Sequence, residues 1–581
     1  MGIFSAACQA LPQKIFDFPG TPSAAISSLF RFKINFETGS AENGKAGERV
    51  KIALVEHPRP RPPERCNDIA NTPLSSCLLT GYAASALLAE GHEVQVIEGH
   101  LEGLSYDEIG RRIAALAPDI LGVHMVYTWG TDKSLAGFLS KMKKEGAVPF
   151  IAAYGYYPTF AAEHLLSGPF AFALDAVLLG EPELTFAALA ARPGPGRPIR
   201  GPIPGIATAD ENGQNKIVSL PPETVRDPDM LHFPLRTEAM WRLPEVNLLG
   251  SRGCHGRCTF CHIPSFFGNT FARRLWRGRS PENIMLEIDS IIEERGARDF
   301  YFTDADFFGP GPAGQERALR LAAMLDERGV RFGLEARADH IKDKTIGALA
   351  MAGLRHIFIG FESGSSRALS RLKKMSSVAD NEEAVRTLRR HGVEPNAGFI
   401  MFEPDSDMED LRDNFRFLKR NGLLRNLDVT ANVLSHHQIV LGGMETFRAL
   451  LEEDRLEMEG GSPYEGLPAF RDPRVRALAA IMRRAAGLVF RSMDGIWSGR
   501  VMAPPGAQKT CREINDFLVG LFEENLERLS MAKPDLSFED RGPDIAARAE
   551  ECLKGKFERM ADSRIFKTDG GGHHETSESH D

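Results

Sequence analysis

The sequence predicts an α/β protein made of two successive strand–helix arrays followed by a helical C-terminal region. Three observations carry this expectation. Apolar strand-like runs alternate with helical segments from 49 to about 190, and again from 241 to about 440. A Pro/Gly-dense stretch, 192–205, separates the two arrays. A loop with three closely spaced cysteines follows the first strand-like run of the second array. Strands separated by helices pair in parallel and receive ligands beyond their C-terminal ends.

The first array, 49–191, has apolar runs at 50–55, 93–97, 120–124, 150–153 and 176–179, with helical patterns at 78–88 and 109–116 between them. Gly91 stands where a helix C-terminal glycine belongs. Five such strands argue for a doubly wound parallel sheet. The loops at its C-terminal edge hold Tyr127, Trp129, Gly155, Tyr156, Tyr157, Pro158, Thr159, Gly180, Glu181 and Glu183. Residues 192–240 are expected as a linker, because neither helix nor central strand tolerates the Pro/Gly density at their start.

The second array, 241–440, opens on the run 246–250 and has further strands at 299–302, 331–335, 356–360, 396–401 and 428–432, six in all. Ser280-Pro281 marks a helix start, with proline at the first helical position. Polar residues follow these strands: Asp304 and Asp306, Arg337 and Asp339, Glu362 and Ser363. Side chains gathered at strand C-termini are the mark of a barrel's active face.

The cysteine loop reads Cys254-His255-Gly256-Arg257-Cys258-Thr259-Phe260-Cys261, a C-x3-C-x2-C spacing. Three thiolates on one loop can hold three corners of a cubane iron–sulfur cluster, which usually takes four cysteines. The uncommitted iron then offers the open position that separates catalytic from structural metal sites. The alternative is structural zinc with His255 or His262 as fourth ligand. Zinc ligands usually come as two separated pairs, and the other cysteines, Cys8, Cys66, Cys77, Cys511 and Cys552, are scattered.

This loop, with Phe260 before its third cysteine, resembles the radical S-adenosylmethionine (SAM) superfamily. The resemblance implies a partial (β/α)6 barrel at 241–440 and a [4Fe–4S] cluster on Cys254, Cys258 and Cys261. It further implies reductive SAM cleavage to methionine and a 5′-deoxyadenosyl radical, and an electron donor such as flavodoxin or ferredoxin. By the same resemblance Asp304 and Asp306 fall where the SAM amino group is met, and Arg337 and Asp339 where its carboxylate and ribose are held. Glu362 and Ser363 fall near ribose hydroxyls, and Gly398 and Phe399 near adenine. An arginine has physical sense there, since a guanidinium pairs bidentately with a carboxylate. The fifth-strand glycine could instead relieve packing, and the aspartates could cap the next helix.

The first array is similar to the cobalamin-binding-type domain that precedes many such barrels. Its fourth and fifth loops often read Gly-Gly-x-His-Pro-Thr and Gly-Glu-Gly-Glu. This chain keeps Gly155, Pro158, Thr159, Gly180, Glu181 and Glu183, and has Tyr157 in place of the histidine. The Asp-x-His-x-x-Gly motif, whose histidine ligates cobalt, is absent. The resemblance implies cobalamin without a protein histidine ligand; a vestigial sheet is the alternative. Tyr127, Trp129, Tyr156 and Tyr157 are candidates to lie against a corrin, though aromatics in loops are as often simply packed.

The first functional reading is C-methylation of an unactivated carbon in a small molecule of natural-product or carbohydrate type, with methylcobalamin as donor. The second is a radical epimerase, cyclase or oxidase without methyl transfer, for which Cys511, in the helical region 441–562, is a candidate hydrogen donor. A zinc-stabilised binding protein is the non-enzymatic reading. The net charge of −9 gives no pull toward nucleic acid. No apolar run is long enough for a membrane span, and the cysteine usage argues for the cytoplasm. Residues 1–48 read as an extension and 563–581 as a disordered polar tail.

Overall fold

Five parallel strands form the centre of the first array: β1 (Lys51–Glu56), β2 (Glu93–Glu98), β3 (Ile120–His124), β4 (Phe150–Tyr154) and β5 (Ala176–Leu178). In this computed structural model the described residues are 49–58, 78–126, 132–168, 170–192, 202–209, 217–267, 276–458, 463–497, 501–504, 506–532 and 542–562. The segments 1–48 and 563–581, with Tyr127 and Trp129, lie outside them. Helices α1 (Leu78–Ala89), α2 (Tyr106–Leu116), α3 (Asp132–Lys144), α4 (Tyr156–Ser167) and α5 (Pro182–Ala190) follow the strands. The sheet is buried on both faces, by Ile109, Leu139 and Leu165 on one side and Ala83, Leu87 and Phe186 on the other. That is why its strands read as continuous apolar runs.

The strand order is β2-β1-β3-β4-β5, so the direction of winding reverses between β1 and β3. Ligands in such sheets bind at that reversal. Two further strands, β6 (Ile206–Ala209) and β7 (Ile217–Ser219), extend the sheet antiparallel from β5. The expectation of a linker over 192–240 is therefore corrected. The Pro/Gly density ends before Ile206, and Ile206 and Ala207 are buried against the sheet.

The second array is an open parallel sheet of β8 (Val246–Leu248), β11 (Asp299–Phe302), β12 (Arg331–Arg337), β13 (Leu354–Glu362) and β14 (Pro395–Phe399). Between β8 and β11 a short antiparallel pair, β9 (Ser251–Gly253) and β10 (Trp276–Gly278), flanks the cysteine loop and α6 (Ile263–Phe267). The outer layer is α7 (Pro281–Arg295), α8 (Gly311–Asp326), α9 (Asp343–Met351), α10 (Ser366–Arg371), α11 (Val378–Arg390) and α12 (Met408–Arg420). Ser280 caps α7 and Pro281 opens it, as expected.

The sixth strand expected at 428–432 is instead helical, within α13 (Leu427–Ser435). Leu427, Ala431 and Leu434 recur at helical spacing and are all buried. The sixth position holds a single parallel bridge, Phe402 to His437. The C-terminal region is not helical from its start. It begins with the antiparallel strands β15 (Val440–Leu441), β16 (Leu456–Met458) and β17 (Glu465–Pro468), with α14 (Glu445–Glu452) between the first two. Leu441, Met444 and Tyr464 of this segment join the core of the first array. Then α15 (Pro473–Trp497) and α16 (Ala507–Met531) pack on α12 and α13, and α17 (Gly542–Asp562) packs on α15 and α16.

Candidate active site

The C-terminal edges of both sheets face one cavity. Its wall on the first array is Leu78, Leu79, His124, Val126 and Tyr156. On the second it includes Cys254, Cys258, Cys261, Phe260, Thr303, Glu335, Arg337, Phe358, Glu362 and Lys374.

The three thiols share that wall and the turn between them is tight. A Cβ built at Gly256 would stand 2.8 Å from Arg337 Nη1 and 3.4 Å from Cys254 Sγ. The Gly256 N–H donates to Cys254 Sγ at 3.3 Å. Burial pushes the Cys254 thiol up to about 11, with Asp306 adding to it. Burial and the other two thiols raise Cys261 still further. Half-buried thiols gathered on one loop, with Cys254 and Cys261 disfavoured as anions, call for a cation among them, and this donor set fits an iron–sulfur cluster. It does not fit tetrahedral zinc, whose ligand atoms stand about 3.8 Å apart at a zinc–sulfur distance of about 2.3 Å. Among the described residues the one group of ligand atoms within 4.8 Å of each other is Cys254, His255 and Asp306, with a single cysteine. His262 is stacked between Tyr156 and Phe160, at ring distances of 4.8 and 5.7 Å.

The long side chains on the barrel side of the wall, Glu335 and Arg337 of β12 and Phe358 and Glu362 of β13, are spaced by even numbers of residues, since side chains two apart on a strand share a face. Arg337 closes β12, with Nε and Nη2 donating to both oxygens of Asp339 at 3.0 and 3.1 Å. Glu335, two residues earlier, accepts from the Tyr301 hydroxyl at 3.2 Å. Burial lifts the Glu335 carboxyl to about 8, against that hydrogen bond. Glu362 stands at a left-handed φ of 63° beside a register shift in β13, and Lys374 Nζ donates to its Oε1 at 2.9 Å.

Several expected SAM contacts lie off this wall. After β11 the chain alternates: Thr303 and Ala305 line the cavity, while Asp304 and Asp306 are turned away and fully buried. Asp304 accepts from Gly250 N–H at 2.9 Å and from the Ser251 hydroxyl. Burial pushes it up to about 6, opposed by the Ser251 hydrogen bond. Asp306 sits between His255 and His340, at 3.1 and 3.0 Å. Burial works against its charge, and these two hydrogen bonds outweigh it and hold the carboxyl at about 2. Both aspartates thus support the cysteine loop from behind. Ser363 is buried and donates to Asn414 at 2.7 Å. Phe399 stacks on Phe417 in the core. At Gly398 a Cβ would stand 2.7 Å from the Phe358 ring, so this glycine makes room for a cavity-lining aromatic.

On the first array, the reversal point holds a buried polar cluster. His124 Nδ1 lies 3.0 Å from Glu56 Oε2. Thr80 donates to Glu56 and lies 2.6 Å from the Tyr154 hydroxyl. Gly155 has φ 111° at the start of α4. Thr159 donates to the Gly155 carbonyl at 2.7 Å and accepts from Gly180 N–H at 3.0 Å, which ties the fourth loop to the fifth. Tyr157 and Pro158 are buried, and Tyr157 packs on Tyr464 at 4.9 Å, so neither lines the cavity. The aromatic that does is Tyr156, one residue earlier, because the helix begins there and turns its neighbour into the core. Glu181 is paired with two arginines, Arg252 at 2.6 Å and Arg277 at 2.9 Å, and is not part of the cavity wall.

The family model for the radical SAM superfamily matches residues 248–418, the span that holds the cysteine loop and the four parallel strands β11 to β14. The chain carries a radical SAM domain. A protein of Pyrococcus horikoshii named as an uncharacterized methyltransferase is 27% identical over 380 residues, covering 64% of this chain and 78% of that protein. The 4′-phospho-dehydrooxetanocin synthase of Priestia megaterium is 30% identical over 260 residues, 39% of this chain and 33% of that protein. The structure of the cobalamin-dependent SAM radical enzyme OxsB, with aqua-cobalamin and SAM bound, superposes with a TM-score of 0.70 at 20% identity, over 90% of this chain and 81% of that one. The radical SAM methyltransferase TsrM from Kitasatospora setae, with cobalamin and a [4Fe–4S] cluster, gives 0.59 at 15% identity, over 83% and 99%. These two likenesses establish the shared two-array fold.

Cys511 lies on α16 against the cluster of Val489, Leu518 and Leu553, outside the cavity wall. The C-terminal helices pack on the outside of the second array, so its expected place over the substrate is corrected. Sequence reasoning missed Glu335, Lys374, Phe358 and His124. The signal for Glu335 is present, since it stands two residues before Arg337 on one strand. Lys374 carries none, because it is brought in by the turn after α10.

Proposed function

We propose that this radical SAM enzyme is cobalamin-dependent and transfers a methyl group to an unactivated carbon of a small molecule. The observation that carries the reading is the shared cavity, with three cysteines on one wall and the reversal point of a doubly wound sheet on the other. The names of the Pyrococcus horikoshii protein and of TsrM support methyl transfer. A hopanoid C-3 methylase of Methylococcus capsulatus, 25% identical over 342 residues, supports a carbon acceptor.

Cys254, Cys258 and Cys261 would hold the cluster, and the edge around His124, Tyr156 and Gly155 would face cobalamin. When bound, the cluster and SAM supply a radical that abstracts hydrogen from carbon, and cobalamin supplies the methyl group. The chain's own residues bind and exclude water. Arg337, with two donors committed to Asp339, keeps Nη1 beside the Gly256 turn, where a carboxylate can pair with it. Lys374 balances Glu362, so that pair adds no net charge to the wall. Leu78, Leu79, Val126, Leu249, Phe260 and Phe358 give the cavity its apolar lining. Such a lining protects a reactive intermediate from water. Electron supply by a flavodoxin or ferredoxin is part of the proposal.

The test is anaerobic purification and reconstitution. The expected protein absorbs near 400 nm, carries about four irons per chain, and retains corrinoid detectable by mass spectrometry. A colourless protein that binds zinc and no corrinoid would sink the reading. The position of Cys511 outside the cavity wall supports methyl transfer over the epimerase reading.

A further inference from the structure

We infer that Glu181 and Glu183 are positioning residues for the cysteine loop; this rests on the proposed cluster. On β9 and β10, Arg252 and Arg277 stand directly opposite each other, and both are buried. Two like charges facing across a strand pair repel. They are neutralised from the other array. Glu181 Oε1 lies 2.6 Å from Arg252 Nη1, and Glu181 Oε2 lies 2.9 Å from Arg277 Nη1. Glu183 Oε1 lies 2.5 Å from Arg252 Nη2. All four charges are shielded from solvent, and the Val225 N–H adds a donor to Glu181 at 3.2 Å.

What makes this more than an ion-pair network is where the arginines sit. Arg252 is two residues before Cys254. Arg277 donates to the carbonyl of Phe267 at 3.3 Å, the last residue of the helix that follows Cys261. The two guanidiniums therefore grip both flanks of the segment that carries the three thiols, and one carboxylate, Glu181, holds both guanidiniums. The grip continues into the first sheet. Gly180, beside Glu181, is bonded to Thr159, and Thr159 to Gly155 at the edge of the cavity. Arg252 also lies over the Tyr82 ring at 4.8 Å. The cysteine loop is thus oriented by the array across the cavity, through Glu181.

The experiment compares Glu181→Gln with Glu287→Gln. Glu287 is likewise a buried carboxylate between two arginines, Arg236 at 2.6 Å and Arg279 at 2.5 Å, but these bond the carbonyls of Asn247 and Leu249, ahead of β9, and not the segment from Cys254 to Phe267. Parent and variants are reconstituted anaerobically. Iron and sulfide content, thermal unfolding, and the electron paramagnetic resonance spectrum of the reduced cluster with increasing SAM are recorded. Both variants are expected to melt lower than the parent and to load iron equally. Only Glu181→Gln is expected to broaden the cluster signal and raise the half-saturating SAM concentration, by about 10-fold, the usual effect of losing an outer support of a metal site. If Glu181→Gln folds poorly, Glu183→Gln, which leaves the Glu181 bridge in place, is expected to show the same change in smaller measure. Spectra and SAM dependence equal to the parent's in Glu181→Gln and Glu183→Gln, or equal changes in Glu287→Gln, would overturn the positioning role. A parent that loads no cluster overturns the proposed function, and the positioning role with it.

Discussion

Gly155→Ala isolates the link between backbone geometry and the cobalamin-side edge. Gly155 holds φ 111° and ψ −166°, a conformation open almost only to glycine, and forcing another residue into it costs about 1–3 kcal/mol. The added Cβ would stand 2.6 Å from the Met125 carbonyl oxygen and 2.7–2.8 Å from the His124 ring. The first of these is backbone and the second is pinned by Glu56, so neither yields cheaply. Overpacking of this kind adds about 1–3 kcal/mol. Together the terms give about 2–6 kcal/mol, which for a domain of 150–250 residues lowers the melting temperature by roughly 10 °C. Gly91→Ala is the comparison: φ is 88° but nothing lies within 4 Å of its Cβ. Only the backbone term of about 1–2 kcal/mol remains there, a few degrees. The assay is thermal unfolding of both variants, with cobalamin titrated by absorbance. Gly155→Ala is expected to melt well below Gly91→Ala and to bind cobalamin more weakly than the parent. Equal melting of the two variants, with parent-like cobalamin binding, refutes the reasoning.

Other outcomes follow from the same geometry. Alanine at any one of Cys254, Cys258 or Cys261 is expected to remove the absorbance near 400 nm and SAM cleavage together; cleavage retained in the triple variant contradicts the cluster assignment. Bound cob(II)alamin is expected to show no nitrogen hyperfine coupling from a protein histidine, because His124 is held by Glu56 and its far edge lies against Gly155; such coupling in the paramagnetic resonance spectrum tells against this placement. Glu335 keeps its proton to about pH 8 in the folded protein, against an ordinary value near 4.5. The folded state then holds the extra proton between those values, so Glu335 lowers stability as pH rises through that window. Glu335→Gln should flatten the fall in melting temperature from about pH 5 to 8; an unchanged slope removes the burial argument.

Local chemistry accounts for what the sequence makes legible. The cysteine spacing, the strand runs 50–55 and 331–335 and the arginine at the end of β12 are patterns within a few residues, and each stands where expected. Features set by alternation beyond a strand end are not legible. Asp304 and Asp306 look like cavity residues, yet Thr303 and Ala305 hold that place. Tyr157 aligns with the relatives' histidine, yet α4 begins one residue earlier and presents Tyr156. The segment 428–432 suits a strand by composition, while the apolar spacing of Leu427, Ala431 and Leu434 makes it a helix. Long-range pairing is the least legible. Nothing near Glu181 in the sequence says that its partners lie 71 and 96 residues away.

The central claim is that one cavity serves SAM on the cysteine wall and cobalamin on the sheet wall. The most direct measurement quantifies 5′-deoxyadenosine and S-adenosylhomocysteine in one anaerobic reaction of the reconstituted enzyme, first freed of corrinoid, with SAM and reductant, with and without added cobalamin. The account predicts 5′-deoxyadenosine in both reactions, and S-adenosylhomocysteine only where cobalamin is present. Formation of 5′-deoxyadenosine alone, whatever the cobalamin concentration, would contradict it.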